Sequence, residues 1–394
     1  MRYAIRADRI RRRYRPDAHA LRLVPGAHGC SRIEMGLREI DSLLSPAHPY
    51  QSAMSSVFFE RHIAPEPGSR RAMMSNHAGA PMSLRIVFLG SPTFAVLPLE
   101  RLVADSRYQV VGVVTQPDRP AGRGKMPVAT PVKQAALRLG LPVLTPETLR
   151  DPAAVADLAD LRPDVGVVAA YGEILRRDVL AIPPLGYVNI HPSLLPLYRG
   201  PSPVAGAILN GDAETGVTIM VIEAKMDAGP ILAQRVVPLP PDARTGSLTR
   251  ELFAIGADML LETLDAYATG AITPHPQDHA RATFTKLLSR EDGIIDWSQP
   301  ALRIERMTRA YDPWPGATTT WRGAPLKIIA ARVRSDRHSD APPGTLLDTA
   351  EGLAVATGDG LLVLETVQPA GKRPLPAADW RRGVRLTGGE RLGG

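Results

Sequence analysis

Cysteine is all but absent. The 394 residues hold a single one, Cys30, and residues 82–394 hold none. That main body therefore has no disulfide framework, no cysteine nucleophile and no thiolate-ligated zinc site. Histidine is nearly as sparse, with four residues beyond position 81, at 191, 275, 279 and 338. His275 and His279 have the spacing of ligands on one helix face. Pro274 and Pro276 argue against a helix there, so both read as linker residues and no metal site is expected. No apolar run approaches the ~20 residues of a membrane-spanning helix. The first apolar strand runs into Phe88-Leu89-Gly90-Ser91-Pro92-Thr93, one glycine where a dinucleotide fingerprint needs three. No G-x-x-x-x-G-K-[ST] occurs either, so neither a nicotinamide or flavin cofactor nor a P-loop is expected. What is present is 44% apolar and 22% charged sequence, the balance of a globular protein long enough for two or three domains.

The net charge of +7 is unevenly spread. Residues 1–81 carry 13 arginines, no lysine and 7 acidic residues, a net of +6. Residues 82–289 carry 19 basic and 20 acidic side chains, and residues 290–394 carry 15 and 13. The body is thus nearly neutral, and any acidic partner must be met by local clusters. Residues 1–81, with Arg9, Arg11, Arg12, Arg13 and Arg15, show no sustained periodicity and no apolar core of a secretory signal. The arginines fit a transit peptide or a basic RNA-binding arm, though seven acidic residues argue against the first. The expectation is a disordered leader, or upstream sequence included by a mis-assigned start before Met82.

From Met82 the pattern alternates strand and helix. Leu84–Gly90, Val110–Thr115, Asp164–Ala170 and Tyr187–His191 read as continuous apolar strands, with helices over Phe94–Val103 and Pro131–Leu139, the latter capped by Thr130. Such a pattern predicts a parallel-rich sheet covered on both faces, which places ligands at the carboxyl ends of its strands. Val217–Glu223 and Ile231–Val237 predict two more strands around a loop holding Asp227, and Leu248–Thr269 a long helix capped by Ser247. All four tryptophans fall beyond residue 290, where a helix over Ala301–Ala310 precedes short strands over Leu326–Val333, Gly344–Leu347, Leu353–Thr357 and Gly360–Val367. These predict a small β-barrel. The expected division is a leader over 1–81, a catalytic domain over 82–270, a linker over 271–299 and a barrel over 300–394.

The chemistry concentrates in Val188–Gly200. Alternation along a strand puts Asn189 and His191 on one face, and Pro192 ends the ladder just beyond them. An amide donor beside an imidazole suits a developing oxyanion; a turn cap and a structural histidine fit the same residues. Asp227, in Lys225-Met226-Asp227-Ala228-Gly229-Pro230, reads either as a carboxylate posed for proton transfer or as an Asx turn. The Thr115–Lys125 segment, with Arg119, Arg123 and Lys125, reads as a flexible basic loop that grips phosphates or as a solvated surface loop.

Together these segments resemble the 10-formyltetrahydrofolate-dependent formyltransferases over nearly all of residues 82–394. The resemblance rests on Asn189-x-His191-x-Ser193-Leu194-Leu195-Pro196, Arg199-Gly200, Thr215–Met220 and Asp227. The loop Ala121-Gly122-Arg123-Gly124, the stretch Tyr311-Asp312-Pro313-Trp314-Pro315, and the segments Ala356–Gly360 and Gln368–Lys372 are similar to the family's tRNA-directed branch. The resemblance implies a Rossmann-like formyltransferase domain linked to an OB-like C-terminal barrel. It implies a cytoplasmic, metal-free monomer that moves a formyl group from 10-formyltetrahydrofolate to the α-amine of methionyl initiator tRNA. It further implies catalytic roles for Asn189, His191 and Asp227, a folate pocket lined by Ser193, Leu194, Leu195 and Pro196, and tRNA contacts from Arg119, Arg123, Lys125, Lys372 and Arg373. Residues 371–394, with 6 basic and 2 acidic side chains, add to the last. Pro201-Ser202-Pro203, where relatives often carry Ala-rich sequence, is a departure from the family pattern. Transfer to a sugar nucleotide or other small amine and hydrolysis of formyl-folate use the same chemistry. The basic loop and the barrel argue against them, since a small acceptor needs neither, and the intact Asn189, His191 and Asp227 argue against a catalytically silent RNA-binding protein. A chain begun at Met82 is expected to form product at the rate of the full chain; a large loss in a side-by-side formylation assay would instead support the RNA-arm reading of residues 1–81.

Overall fold

Strand β1 (Leu84–Gly90) shows why the first sheet forms. Ile86 and Phe88 enter one apolar cluster, and Val87 and Leu89 enter another on the opposite face. A strand buried on both faces needs helices on both, which is the parallel α/β solution. The computed structural model describes residues 83–121, 126–334 and 339–393. The leader, Arg123 and Lys125 lie outside the described residues.

After β1 the chain forms α1 (Val96–Ala104), β2 (Tyr108–Val114), a hairpin of β3 (Arg119–Ala121) and β4 (Met126–Val128), α2 (Pro131–Arg138), β5 (Val143–Leu144), α3 (Pro152–Asp160) and β6 (Val165–Ala169). There follow α4 (Arg177–Leu180), β7 (Tyr187–His191), α5 (Pro203–Asn210), β8 (Glu214–Val221), β9 (Ile231–Pro238) and α6 (Thr245–Ala268). The sheet order is β5-β2-β1-β6-β7-β8-β9. It is parallel as far as β7; β8 then runs antiparallel to β7, and β9 to β8. Helices α1, α2, α5 and α6 cover one face and α3 and α4 the other. The parallel-rich sheet is as expected. The basic segment expected as a flexible loop is a two-stranded hairpin up to the edge of its undescribed tip. Thr130 caps α2 as predicted, its Oγ1 accepting from Lys133 N at 3.0 Å.

Helix α6 corrects one expectation. Ser247 is not its cap; the helix begins two residues after Ala243, at Thr245, with Arg244 at the cap position. Docking decides this start. Thr245 Oγ1 donates to Ala310 O at 2.6 Å and Gly246 N to Asp312 O at 3.0 Å, while the Ser247 hydroxyl turns back to Arg244 O. Tertiary hydrogen bonds override a good local cap residue.

Helix α7 (Ala301–Ala310) leads into β10 (Ala317–Trp321), β11 (Ala324–Arg334), β12 (Leu346–Thr349), β13 (Gly352–Ala356), β14 (Leu361–Pro369), β15 (Leu375–Pro376) and α8 (Ala377–Gly383). Every pair in this second sheet is antiparallel, in the order β10-β11-β14-β13-β12 with β15 beside β14. Trp297 and Trp380 are buried in its core, and Trp321 meets Trp380 edge to face with ring centroids 5.5 Å apart. Strand β10 was not anticipated: its run of three threonines carries no apolar alternation, yet it pairs along β11. Residues 271–299, expected as a linker, divide: the part up to Thr285 docks on the first domain, while Ile295 and Trp297 enter the core of the second sheet. His275 bridges to Ile231, and Phe284 runs beside Arg199.

The long helix α6 bears on β7 through Gly256. A Cβ there would sit 2.4 Å from Ile190 Cγ2, a methyl fixed to the stiff branch point of a β-branched side chain. Gly256→Ala is therefore expected to lower stability by roughly 1–3 kcal/mol despite its better helix propensity. Chemical denaturation measures the loss, and in a double-mutant cycle with Ile190→Ala, which removes Cγ2, the two losses should be less than additive.

Candidate active site at the end of β7

Strand β7 lies between β6 and β8, with Asn189 opposite Val168 and Met220 and His191 opposite Thr218. Val188 and Ile190 point into the core beneath α6. Asn189 and His191 share the other face, at the strand's carboxyl end. Asn189 is half-buried, and its side-chain amide makes no hydrogen bond among the described residues. It is a free donor at the place where open α/β sheets bind ligands.

The turn after β7 is built around Thr218. Its Oγ1 donates to Ser193 O at 2.7 Å and accepts from Leu195 N at 3.1 Å and Gln234 Nε2 at 2.9 Å. Gln234 also donates to Leu195 O at 2.7 Å. The buried Ser193 hydroxyl donates to Leu197 O at 2.7 Å, so this side chain holds the turn together. Leu195 is buried as well, and Leu194 and Pro196 are half-exposed.

His191 is 4% exposed. Its Nε2 lies 3.1 Å from Tyr198 O. A carbonyl only accepts, so Nε2 carries the proton and donates, leaving Nδ1 as the basic nitrogen. Nδ1 faces Asp227 Oδ2 at 3.8 Å. Burial holds the imidazole below the ordinary histidine value of 6.5, against the opposing pull of the Asp227 charge and the Tyr198 carbonyl, both of which favour the cation. The resting form is therefore a neutral imidazole with its lone pair turned toward a carboxylate.

Asp227 is posed by backbone. Its φ is +49°, in the left-handed region, and its Oδ2 accepts from Gly200 N at 2.7 Å. Gly200 has φ +107°, and a Cβ on it would lie 2.5 Å from Thr285 O. A Cβ on Gly229 would lie 1.9 Å from Val221 O, so only glycine lets the loop close there. The three expected catalytic side chains thus converge, although Asp227 lies 36 residues beyond His191.

Sequence reasoning missed the support beneath them. Arg199 is 4% exposed, and among the described residues no carboxylate pairs with it. Its Nη2 donates to Gln277 Oε1 at 2.6 Å and to His279 Nδ1 at 2.9 Å. Gln277 Nε2 in turn donates to Asp227 O at 2.9 Å and Gly229 O at 2.7 Å. His279, read as a linker residue, is part of this network. The signal available was polar residues in a Pro-rich stretch, which does not separate a solvated linker from a docked one.

The expected tRNA contacts lie elsewhere. Arg119, on β3, pairs with Glu147 at 2.8 Å in an exposed ion pair of little energetic weight. Near the carboxyl terminus, Arg381 pairs with Asp348 and Arg382 with Asp379. Lys372 and Arg373 are exposed and have no ion-pair partner among the described residues.

Comparison with known proteins gives the class first. The formyl transferase model matches residues 84–264, and the model for the formyl transferase C-terminal domain matches residues 287–385. Among solved structures, the N-formyltransferase of Helicobacter canadensis, in complex with folinic acid and dTDP-3-aminofucose, shares the fold with a TM-score of 0.54 at 16% identity. The match covers 74% of this chain and 100% of that one. The methionyl-tRNA formyltransferase of Roseiflexus is 88% identical over 312 residues, covering 79% of this chain and 96% of its own. That of Chloroflexus aurantiacus is 62% identical over 302 residues, covering 76% and 97%. The chain belongs to the methionyl-tRNA formyltransferase family.

Two outcomes follow from this geometry. Gly229→Ala should push the Asp227 loop off its pose and lower kcat by about 100-fold, the scale of a 1 Å misplacement, with the fold intact by circular dichroism. His191 should titrate below 6.5 by NMR. In Asp227→Asn it should titrate lower still, because the anion favouring the imidazolium is gone; an upward shift would contradict the electrostatic account.

Proposed function

We propose that the residues at the end of β7 transfer a formyl group from 10-formyltetrahydrofolate to the α-amine of methionyl initiator tRNA. Formyl transferases of this family take the group from a formyl-tetrahydrofolate. The observation that carries the reading is the convergence of a free Asn189 amide with the His191–Asp227 pair. The acceptor follows from the near-complete match to relatives named for it.

The residues divide the work. Attack by the amine forms a nitrogen–carbon bond and puts negative charge on the formyl oxygen. The Asn189 amide is the donor available to that oxygen in the resting site, since the His191 Nε2 proton is held by Tyr198 O. The proton leaving the amine passes to His191 Nδ1, where the Asp227 charge favours the cation that burial opposes. It is then available to the nitrogen on which the formyl–donor bond breaks. His191 enters as a proton carrier at Nδ1, and its oxyanion contact begins once Nδ1 is protonated. The half-exposed Leu194 and Pro196, on a turn pinned by Thr218 and Gln234, offer the donor an apolar wall, and Ser193 and Leu195 keep that wall in shape. Lys372 and Arg373, with Arg119 and the undescribed Arg123 and Lys125, meet tRNA phosphates.

Asn189→Ala is expected to lower kcat about 10²–10³-fold, the effect of losing one oxyanion donor. Methionyl-tRNA, uncharged tRNA and an amino-sugar nucleotide offered as acceptors should give product with the first alone; formylation of the sugar would overturn the acceptor assignment. Replacing Lys372 and Arg373 together by alanine should raise the KM for tRNA and flatten its salt dependence, with the KM for the folate unchanged.

A further inference from the structure

Tyr198 has every polar atom engaged. Its N donates to Thr283 Oγ1 at 2.7 Å, and its carbonyl accepts from His191 Nε2. Its hydroxyl donates to Asp212 Oδ2 at 2.5 Å and accepts from Asn210 Nδ2 at 2.8 Å. The ring lies against α5 so closely that a Cβ on Gly206 would be 2.8 Å from its Cδ1. All this holds a non-glycine residue at φ +59°, a conformation that persists only when its surroundings impose it.

The anchors of the hydroxyl sit at the carboxyl end of α5, and that end is gripped from the second domain. Arg306 of α7 donates to Asn210 O at 2.8 Å, and Arg303 donates to Leu209 O at 3.1 Å. The Arg306 guanidinium fills the space over Gly211, where a Cβ would lie 2.0 Å from it. Cations at a helix's carboxyl terminus also suit its dipole. An unbroken chain of contacts therefore runs from α7 through Arg306, Asn210 and Tyr198 to His191.

We propose that Tyr198 is a positioning residue for His191. Its anchored hydroxyl holds the carbonyl that keeps the imidazole proton on Nε2, and α7 of the second domain sets the stance of that anchor through Arg306. The inference rests on the reading of His191 as part of the reacting centre. It gives the second domain a part in the chemistry besides any grip on tRNA. If the carbonyl moves away, the Nε2 proton loses its partner, the alternative tautomer becomes populated, and Nδ1 no longer offers a lone pair beside Asp227. The charged group that faces His191 is Asp227 from the β8–β9 loop, and Asp212 acts through Tyr198; Arg199, on the same turn, is held by Gln277 and His279. Thr218 of β8, opposite His191, is uncharged. Burial and the Asp212 carboxylate push the Tyr198 phenol up to about 12, so it stays a donor throughout an assay.

The first test needs no variant. NMR of the ¹⁵N-histidine-labelled full chain should show neutral His191 protonated at Nε2; protonation at Nδ1 would overturn the inference. In Tyr198→Phe, kcat should fall roughly 5- to 20-fold with both KM values within two-fold. His191 should show mixed tautomers, and the acid limb of kcat should move to lower pH, since the hydrogen bond that favours its cation is loosened. Asp212→Ala should reproduce these changes and Asp212→Asn, which keeps an acceptor, should not. Arg306→Ala should give a smaller change of the same sign. Wild-type tautomer and pH profile in both Tyr198→Phe and Asp212→Ala would refute the positioning role, as would a loss in Asp212→Asn equal to that in Asp212→Ala. If His191→Ala itself retained full activity, the reading of the centre would fall instead, so the two failures are distinct.

Discussion

One hydrogen bond closes the site: Gly200 N to Asp227 Oδ2, at 2.7 Å. It ties the turn that follows β7 to the loop between β8 and β9. Neither side reaches the other in relaxed backbone. Tyr198, Gly200 and Asp227 all have positive φ, and the two non-glycine residues each cost on the order of 1–3 kcal/mol in such a conformation. The surroundings that offset this strain make up most of the site: Thr218 and Gln234 beneath the turn, Gln277 under the Asp227 loop, and Thr283 and Thr285 alongside Tyr198 and Arg199. The sheet supplies a rigid base, and the hydrogen-bonded periphery sets the positions of the reacting groups.

The electrostatics of His191 come from the same closure. At 3.8 Å from a carboxylate, an imidazolium gains about 4 kcal/mol at an effective dielectric constant of 20. Removing that cation from water costs several kcal/mol. Burial outweighs the attraction and keeps the ring neutral at rest. A neutral imidazole facing a carboxylate keeps a lone pair at Nδ1, and the carboxylate favours the cation that forms if that nitrogen takes a proton.

The sheet was legible in the sequence because its strands are apolar on both faces and its helices open with capping or proline residues, as Thr130-Pro131 does. The shared face of Asn189 and His191 was legible through strand alternation and a proline stop, and the approach of Asp227 to them only through the family resemblance. The support network was not. Gln277, His279 and Thr285 come from a stretch whose Pro and polar content matches an ordinary linker, and their part depends on where the chain docks. The same holds for the start of α6, where contacts with residues 310 and 312 outweigh the cap that Ser247 offers. Local chemistry is readable when the partner is within a few residues, and it fails when the partner is some 80 residues away, as for Arg199 and His279.

The main-chain pairing of Arg199 with residues 283–285 has a consequence for dissecting the protein. A fragment ended at α6 would retain Asn189, His191 and Asp227. It would also lose the hydrogen bonds that hold Tyr198, Arg199 and the Asp227 loop in place. The smallest autonomous catalyst that can be cut from this chain therefore extends past Thr285, and the connecting segment belongs to the first domain as an interlock.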